Sequence, residues 1–342
     1  MRYGARDWDR VVEVLRGADE IAVACHVNPD GDALGSLLGA SLGLRVLGRK
    51  TYPSWGAQPA ELPPAYSFLP GADTLLQPEQ VPQVDAFLAL DCGAANRLGT
   101  LEAAARRAPH LINVDHHPGN DLFGTLNIVA THASCTAELT AMLLADLGVG
   151  LDRAIATCLY VGVVTDTGRF QYSNSSPEVL RLAADLLEHE VPASAIAQEV
   201  FESAPFGYLK LSGRVLERAR LYPDERFIYS WVTLDDLAET GVAMNETEKL
   251  IDLVRATRDA DVAALFKQQA SDGFRVSLRS KGPSVGAIAR SHGGGGHELA
   301  AGFTAESVGP AVEAIRRALR RSRAEARTGA SAAPGAVPRA PA

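Results

Sequence analysis

Leu111-Ile112-Asn113-Val114-Asp115-His116-His117 sets a largely apolar run directly against three metal-ligand side chains, the pattern of a strand that ends in ligands. The same grammar recurs. His26-Val27-Asn28-Pro29-Asp30-Gly31-Asp32 follows the run Glu20 to Cys25, Asp91 follows Phe87-Leu88-Ala89-Leu90, and Asp166 follows Val163-Val164-Thr165. Four acidic segments, each behind an apolar run, point to one polynuclear metal site.

Outward from these segments, strand-like and helix-like stretches alternate. Glu20–Cys25, Ala86–Leu90, Leu111–Val114 and Gly124–Val129 read as strands, and Ala33–Leu47, Thr136–Leu147 and Arg153–Val163 as helices. This order predicts a parallel α/β sheet. Ligands gather beyond the carboxyl ends of such strands, which is where His26, Asp91 and Asp115 fall. Pro177–Glu188 reads as a helix capped by Ser176, and a more charged helical stretch carries a hinge at Ser203–Gly207. Beyond it, Phe227–Val232, Asp261–Gln268 and Gly273–Arg279 are strands, while Glu246–Arg258, Ser284–Ser291 and the surface stretch Pro310–Ala326 are helices.

A chain of 342 residues is long for one domain. The expected division is a metal-binding domain over 1–192, a helical linker over 193–212, a smaller α/β domain over 213–325 and a disordered tail over 326–342, rich in Ala, Pro and Gly. No apolar stretch approaches the length needed to cross a bilayer, so a soluble protein with no membrane partner is expected. Cys25, Cys92, Cys135 and Cys158 stand at wide spacings inside apolar segments, as buried, reduced thiols of a cytoplasmic protein would. The net charge of -8 argues against a binder of long nucleic-acid tracts, which needs many Lys and Arg contacts to phosphate. A short anionic ligand needs only local cations.

The loop after the first strand is the densest constellation. Asn28-Pro29 disfavours helix, and Gly31 lets the backbone turn so that Asp30 and Asp32 face one pocket. A plain helix start, with Asp32 as cap and His26 on the surface, accounts for that loop taken alone; the other three segments argue against it. A carboxylate at Asp91, ending a central strand, needs a partner, either a metal ion or an arginine such as Arg97. Of the two histidines after Asp115, one can bind metal while the other faces substrate, with Asp115 as a supporting acceptor. Asp166 also reads as an isolated turn residue. Together two imidazoles and four carboxylates exceed a single zinc site and suit two divalent ions bridged by a carboxylate. Such a pair lies roughly 4 Å apart, activates water near neutral pH and stabilises in-line displacement at phosphorus, so phosphoester hydrolysis is the natural reaction.

Gly293-Gly294-Gly295-Gly296-His297 is the second local signal. Glycines there let backbone amides approach a phosphate, and Arg279 and Lys281, at the end of the preceding strand, supply cations. A flexible linker is the alternative, disfavoured by the core-like Leu299-Ala300-Ala301-Gly302-Phe303 that follows. Arg169, Tyr172 and Asn174 read equally as cleft residues or as a solvated turn.

The ordered set HVNPDGDALGS, ALDCG, VDHH, VVTDTGRF, RSKG and GGGGHELAAGF resembles the DHH phosphoesterases that carry a DHHA1 domain, over roughly residues 8 to 322. Within them the similarity is to the branch described as oligoribonuclease and 3'-phosphoadenosine-5'-phosphate (PAP) phosphatase. The resemblance implies that His26, Asp30 and Asp91 hold one metal ion and Asp32, Asp91, His116 and Asp166 the other, with Asp91 bridging and His117 on the scissile phosphate. It implies Mn2+ as the usual ion, with Mg2+ or Co2+ also compatible. It further implies a cleft between the domains in which Arg279, Lys281, Gly294, Gly295, Gly296 and His297 grip the nucleotide end. Short RNA and PAP would be substrates, and a homodimer is compatible. Linear or cyclic dinucleotides such as pApA and cyclic di-AMP are the alternative substrates; a non-catalytic nucleotide-binding protein on the same fold is the alternative to an enzyme.

Overall fold

The run-and-ligand pattern of the first half becomes a sheet with every strand parallel. The computed structural model describes residues 7–270 and 272–330, and the chain divides into two units, Met1–Ser203 and Ala204–Ala342. The first runs α1 (Trp8–Gly17), β1 (Glu20–Cys25), α2 (Gly31–Val46), β2 (Lys50–Trp55), β3 (Ala86–Leu90), α3 (Glu102–Arg107), β4 (His110–Asp115), β5 (Leu126–Val129), α4 (Thr136–Leu147), α5 (Arg153–Asp166), α6 (Pro177–Leu187) and α7 (Ala193–Ala197). Its strands lie in the order β2-β1-β3-β4-β5. Strand order reverses between β1 and β3, which opens a crevice beyond their carboxyl ends.

Successive residues of a strand point to opposite faces, and both faces of the central strands are buried. Ile21, Val23, Leu88, Leu90, Ile112 and Val114 join α2, α4 and α5 in the main core, while Ala22, Ala24, Phe87 and Ala89 pack with Leu98, Leu101 and Ala105. Helices α2 and α5 touch almost backbone to backbone. A Cβ at Gly35 would stand 2.4 Å from the Cys158 carbonyl oxygen, and one at Gly162 would stand 2.9 Å from Asp32 Oδ1. Glycine at these positions lets the helices carrying Asp32 and Asp166 close on each other.

The second unit runs α8 (Phe206–Glu217), β6 (Arg220–Tyr222), β7 (Phe227–Val232), α9 (Leu234–Thr240), α10 (Leu250–Arg255), β8 (Val262–Gln268), β9 (Phe274–Ser280), α11 (Val285–Arg290), β10 (Gly295–Gly296), β11 (Ala300–Ala305) and α12 (Val308–Ala330). Its sheet is mixed, in the order β10-β11-β9-β8-β7-β6, with β7 and β8 the parallel pair. One face packs Phe227, Phe266, Val276 and Leu278 under α11 and α12, and the other packs Ala263 and Leu265 under α8 and α10.

The α/β class follows the sequence reading; several details differ. Strand β2 escapes the apolar-run criterion because it is an edge strand holding Pro53, tolerated where one side of the ladder is open. The expected helix 246–258 is a 3-10 turn, Met244–Thr247, followed by the short α10. Val312, Ile315 and Leu319 of α12 are buried, so this helix closes a core. It continues to Ala330, into the stretch expected as a tail from 326; residues 331–342, the rest of that stretch, lie outside the described residues. Among the described residues no helix is long and apolar enough to cross a membrane.

Candidate metal centre

Every acidic segment of the first unit delivers its side chains to the carboxyl ends of β1, β3 and β4. His26, Asp32, Asp91, Asp115 and His116 are buried. His26 Nδ1 lies 2.9 Å from the Val27 carbonyl oxygen, which assigns the proton to Nδ1 and leaves Nε2 as the ligand atom. That Nε2 stands 3.4 Å from Asp91 Oδ2. His116 Nε2 stands 3.6 Å from the other oxygen, Asp91 Oδ1, 3.7 Å from Asp166 Oδ2 and 4.0 Å from Asp32 Oδ2. Two groups able to hold an ion, His26 with Asp30 and Asp91, and Asp32 with Asp91 and His116, therefore share Asp91, each with its ligand atoms within 4.8 Å of one another. Asp91 adopts φ of 55°, a left-handed backbone that L-residues other than glycine seldom enter and that concentrates at functional sites.

The plain helix-start reading of the first loop is corrected in two particulars, the first being that His26 is buried and not on the surface. Asp30, not Asp32, caps α2, accepting from the amides of Asp32 and Ala33 at 3.1 and 3.0 Å. Asp32 instead caps a different helix. Its Oδ2 accepts from the Thr136 amide at 2.7 Å and its Oδ1 from the Ala137 amide at 2.9 Å, so the amino end of α4 carries a carboxylate brought from α2. The Thr136 hydroxyl donates to Asp91 Oδ1 at 2.9 Å.

Asp115 is held from beneath. Asn120 Nδ2 donates to Asp115 Oδ2 at 2.7 Å and to Asn113 Oδ1 at 2.8 Å, while Asp115 Oδ1 lies 2.7 Å from His117 Nδ1. Asp166 closes the ring from the end of α5, where Asn174 Nδ2 donates to its carbonyl oxygen at 3.2 Å and its Oδ2 at 3.3 Å. Asn174 is thus a brace, whereas Arg169 is exposed with its guanidinium over the Phe201 ring. Thr136, Asn120 and Asn113 are not among the site candidates of the sequence reading. Asn113 had a visible signal, a polar residue inside an otherwise apolar strand; Thr136 looks like any first residue of a helix.

Crowding shapes the electrostatics. Burial, then the carboxylates of Asp91, Asp166 and Asp30, push Asp32 well above the usual carboxylate range. Burial lifts Asp166 to about 7 against the attraction of His116. For Asp91 burial acts upward too, but the hydrogen bond with His26 and the charges of His117, His26 and His116 outweigh it and hold the group well below that range. His117 rises to about 9, because its bond to Asp115 and the charge of Asp91 overcome burial. Carboxylates that raise one another's affinity for protons offer the same oxygens to a divalent cation. With imidazole nitrogens interleaved, the donor set fits metal ions of borderline or hard character.

The remaining sequence candidates lie in the second unit. Arg279 is half-buried on β9 and donates to the Leu278 carbonyl at 3.0 Å. Lys281 Nζ donates to the Thr257 carbonyl and, at 3.1 Å, to that of Ala260, a local structural use. The glycine run is less open than the sequence suggests. The Gly293 and Gly294 amides bond to the Arg290 and Ala289 carbonyls, closing α11, and Gly295 and Gly296 pair with Gly302 and Ala301. A Cβ at Gly294 would stand 2.1 Å from the Gly302 carbonyl oxygen, so close backbone packing by itself requires glycine there. His297 is half-buried immediately after this strand.

A parallel α/β unit with a histidine and carboxylate cluster at its switch point, followed by a mixed-sheet unit with a glycine-rich edge, defines a phosphoesterase of the DHH class, whose members are metal-dependent. Residues 20–163 match the DHH family, N-terminal domain, and residues 224–327 match the DHHA1 domain; the chain belongs to the DHH family. It is 33% identical over 329 residues, 93% of this chain and 97% of the relative, to the bifunctional oligoribonuclease and PAP phosphatase NrnA of Thermus thermophilus. It is 29% identical over 83% of its length to the protein of that name in Bacillus subtilis, of which the match covers 88%. The crystal structure of an exopolyphosphatase-related protein from Bacteroides fragilis shares the fold, with a TM-score of 0.84 at 24% identity over 93% of this chain and 96% of that one.

Proposed function

We propose that this protein hydrolyses short oligoribonucleotides to mononucleotides and dephosphorylates PAP to AMP, using two divalent ions, Mn2+ by preference. The observation that carries the reading is the division of Asp91, whose Oδ2 faces His26 while its Oδ1 faces His116. His26, Asp30 and Asp91 would hold one ion, and Asp32, Asp91, His116 and Asp166 the other. When bound, the pair supplies Lewis acidity at the phosphate and an activated water near neutral pH.

The protein's own groups do the rest. Asp115, fixed by Asn120, orients the His117 ring, which donates to the scissile phosphate. Arg279, the Gly294-Gly295-Gly296 edge and His297 hold the far phosphate or base of the ligand, to which Lys281, engaged with carbonyls, lends charge only. Relatives named as oligoribonuclease and PAP phosphatase support these substrates. The net charge of -8 favours short ligands over long tracts. Cytoplasmic residence belongs to the same reading, supported by four free, buried cysteines, and so does assembly as a homodimer, which sedimentation would check.

The test is a hydrolysis panel of a short RNA, a long RNA, PAP, pApA and cyclic di-AMP, run with Mn2+ and after chelation. Turnover of short RNA and PAP that stops with chelator is expected. Full activity in chelator would overturn the two-ion reading, and exclusive turnover of pApA or cyclic di-AMP would move the substrate to the dinucleotides.

A further inference from the structure

The amino end of α4 holds ligands that the sequence places far away. Thr136, fully buried, contributes twice. Its amide binds Asp32 Oδ2, and its hydroxyl binds Asp91 Oδ1 at 2.9 Å. The hydroxyl is not used to cap the helix: Thr136 is the first helical residue, Cys135 is at the cap position, and the Thr136 and Ala137 amides of that turn are taken by Asp32. Nor is its direction ambiguous if Asp91 is ionised, since a carboxylate only accepts.

A carboxylate turns easily about its last bond, which has a broad, roughly two-fold profile. Left to itself, Asp91 could present both oxygens to one ion and cease to bridge. A hydroxyl on Oδ1 uses one of that oxygen's two lone pairs, leaves the other for an ion, and holds Oδ2 toward His26. We propose that Thr136 is the positioning residue of the bridging carboxylate, its hydroxyl setting the plane of Asp91 so that the two oxygens serve different ions, and its amide tying Asp32 into the same frame. This rests on the two-ion reading above. Thr136 acts through Asp91 and Asp32, the carboxylates it binds.

The experiment is calorimetric titration of the metal-stripped, full-length protein with MnCl2, for wild type, Thr136→Val and Thr136→Ser, with thermal melts of each. Valine keeps the shape and removes the hydroxyl; serine keeps the hydroxyl. Wild type and Thr136→Ser should take up two ions, and Thr136→Val should bind the second about 10- to 100-fold more weakly, the usual scale for groups that orient metal ligands, at a nearly unchanged Tm. Thr136→Ala replaces the valine variant if that one does not fold. Two ions bound with wild-type affinity by the hydroxyl-free variant, or failure of serine to restore the second ion, would overturn the role of Thr136 while leaving the two-ion reading standing. Fewer than two ions in the wild type would sink that reading, and the bridging role with it.

Discussion

The carboxylate cluster of the first unit and the glycine loop of the second both present polar groups at strand ends, and they are built in opposite ways. Asp32 is tied to Thr136 across 104 residues of sequence, and Asp91 to the same threonine across 45. The glycine loop is tied to its own neighbourhood, Gly294 to Ala289 and Gly293 to Arg290. Long-range tethers fix distances between side chains from separate elements, which a metal site demands. Local bonds fix the shape of a turn, so in the proposed function ligand contact falls to a few side chains such as Arg279 and His297. Disturbing the first region should therefore act on turnover, and disturbing the second on affinity.

The sharpest way to break this contrast is Asp91→Ala, which removes the group shared by the two clusters of candidate metal ligands. A fall in kcat on the order of 10³-fold or more, about 4 kcal/mol, is expected in steady-state assays; a change in KM alone would erase the distinction between the regions. Next comes Gly35→Ala, whose methyl would meet the Cys158 carbonyl at 2.4 Å. Overpacking should cost about 3 kcal/mol in a denaturant melt, and loss of Mn2+ affinity with it would mark the α2 and α5 contact as part of the metal frame.

Asp236→Asn probes the second unit without touching its loop. Asp236 is buried, accepts from Arg218 Nη2 at 2.8 Å and sits in the capping box of α9. Burial acts to raise its pKa, but the Arg218 guanidinium and the Thr233 amide outweigh it and hold the group low. A depressed folded pKa gives stability that is complete above the unfolded value, about 3.9, and is lost as pH falls through the folded one. The variant should lose about 2 kcal/mol at pH 7, and its gap in Tm from wild type should close below about pH 4. The smallest effect is expected of Arg279→Ala, about a tenfold rise in KM with kcat nearly unchanged. An unchanged KM would remove Arg279 from ligand binding.

Much of the fold was legible because ligand residues and strand periodicity reinforce one another. Leu111 to Val114 could hardly be anything but a buried strand, and β3 spans the same residues the sequence predicts, Ala86–Leu90. Strand β2 was not legible, since Pro53 weakens its pattern and only pairing with β1 makes Lys50–Trp55 a strand. The glycines at 31, 35, 39 and 43 recur every fourth residue, yet that spacing gains meaning only when α5 is seen to lie against the first three and Leu144 of α4 against the fourth. Thr136 could be read only as a helix start, because its partners Asp32 and Asp91 are fixed by packing and not by spacing.

The sequence by itself determined most of the element types, the donor chemistry and the family, since these depend on residue identity and local period. Tertiary structure alone decided which oxygen of Asp91 faces which histidine, that Asp30 rather than Asp32 caps α2, and that the glycine run is engaged with neighbouring backbone. The physical reason is the same in each case. Hydrogen-bond direction and ångström-scale spacing are set by how separate elements pack against one another, and no local pattern along the chain records that.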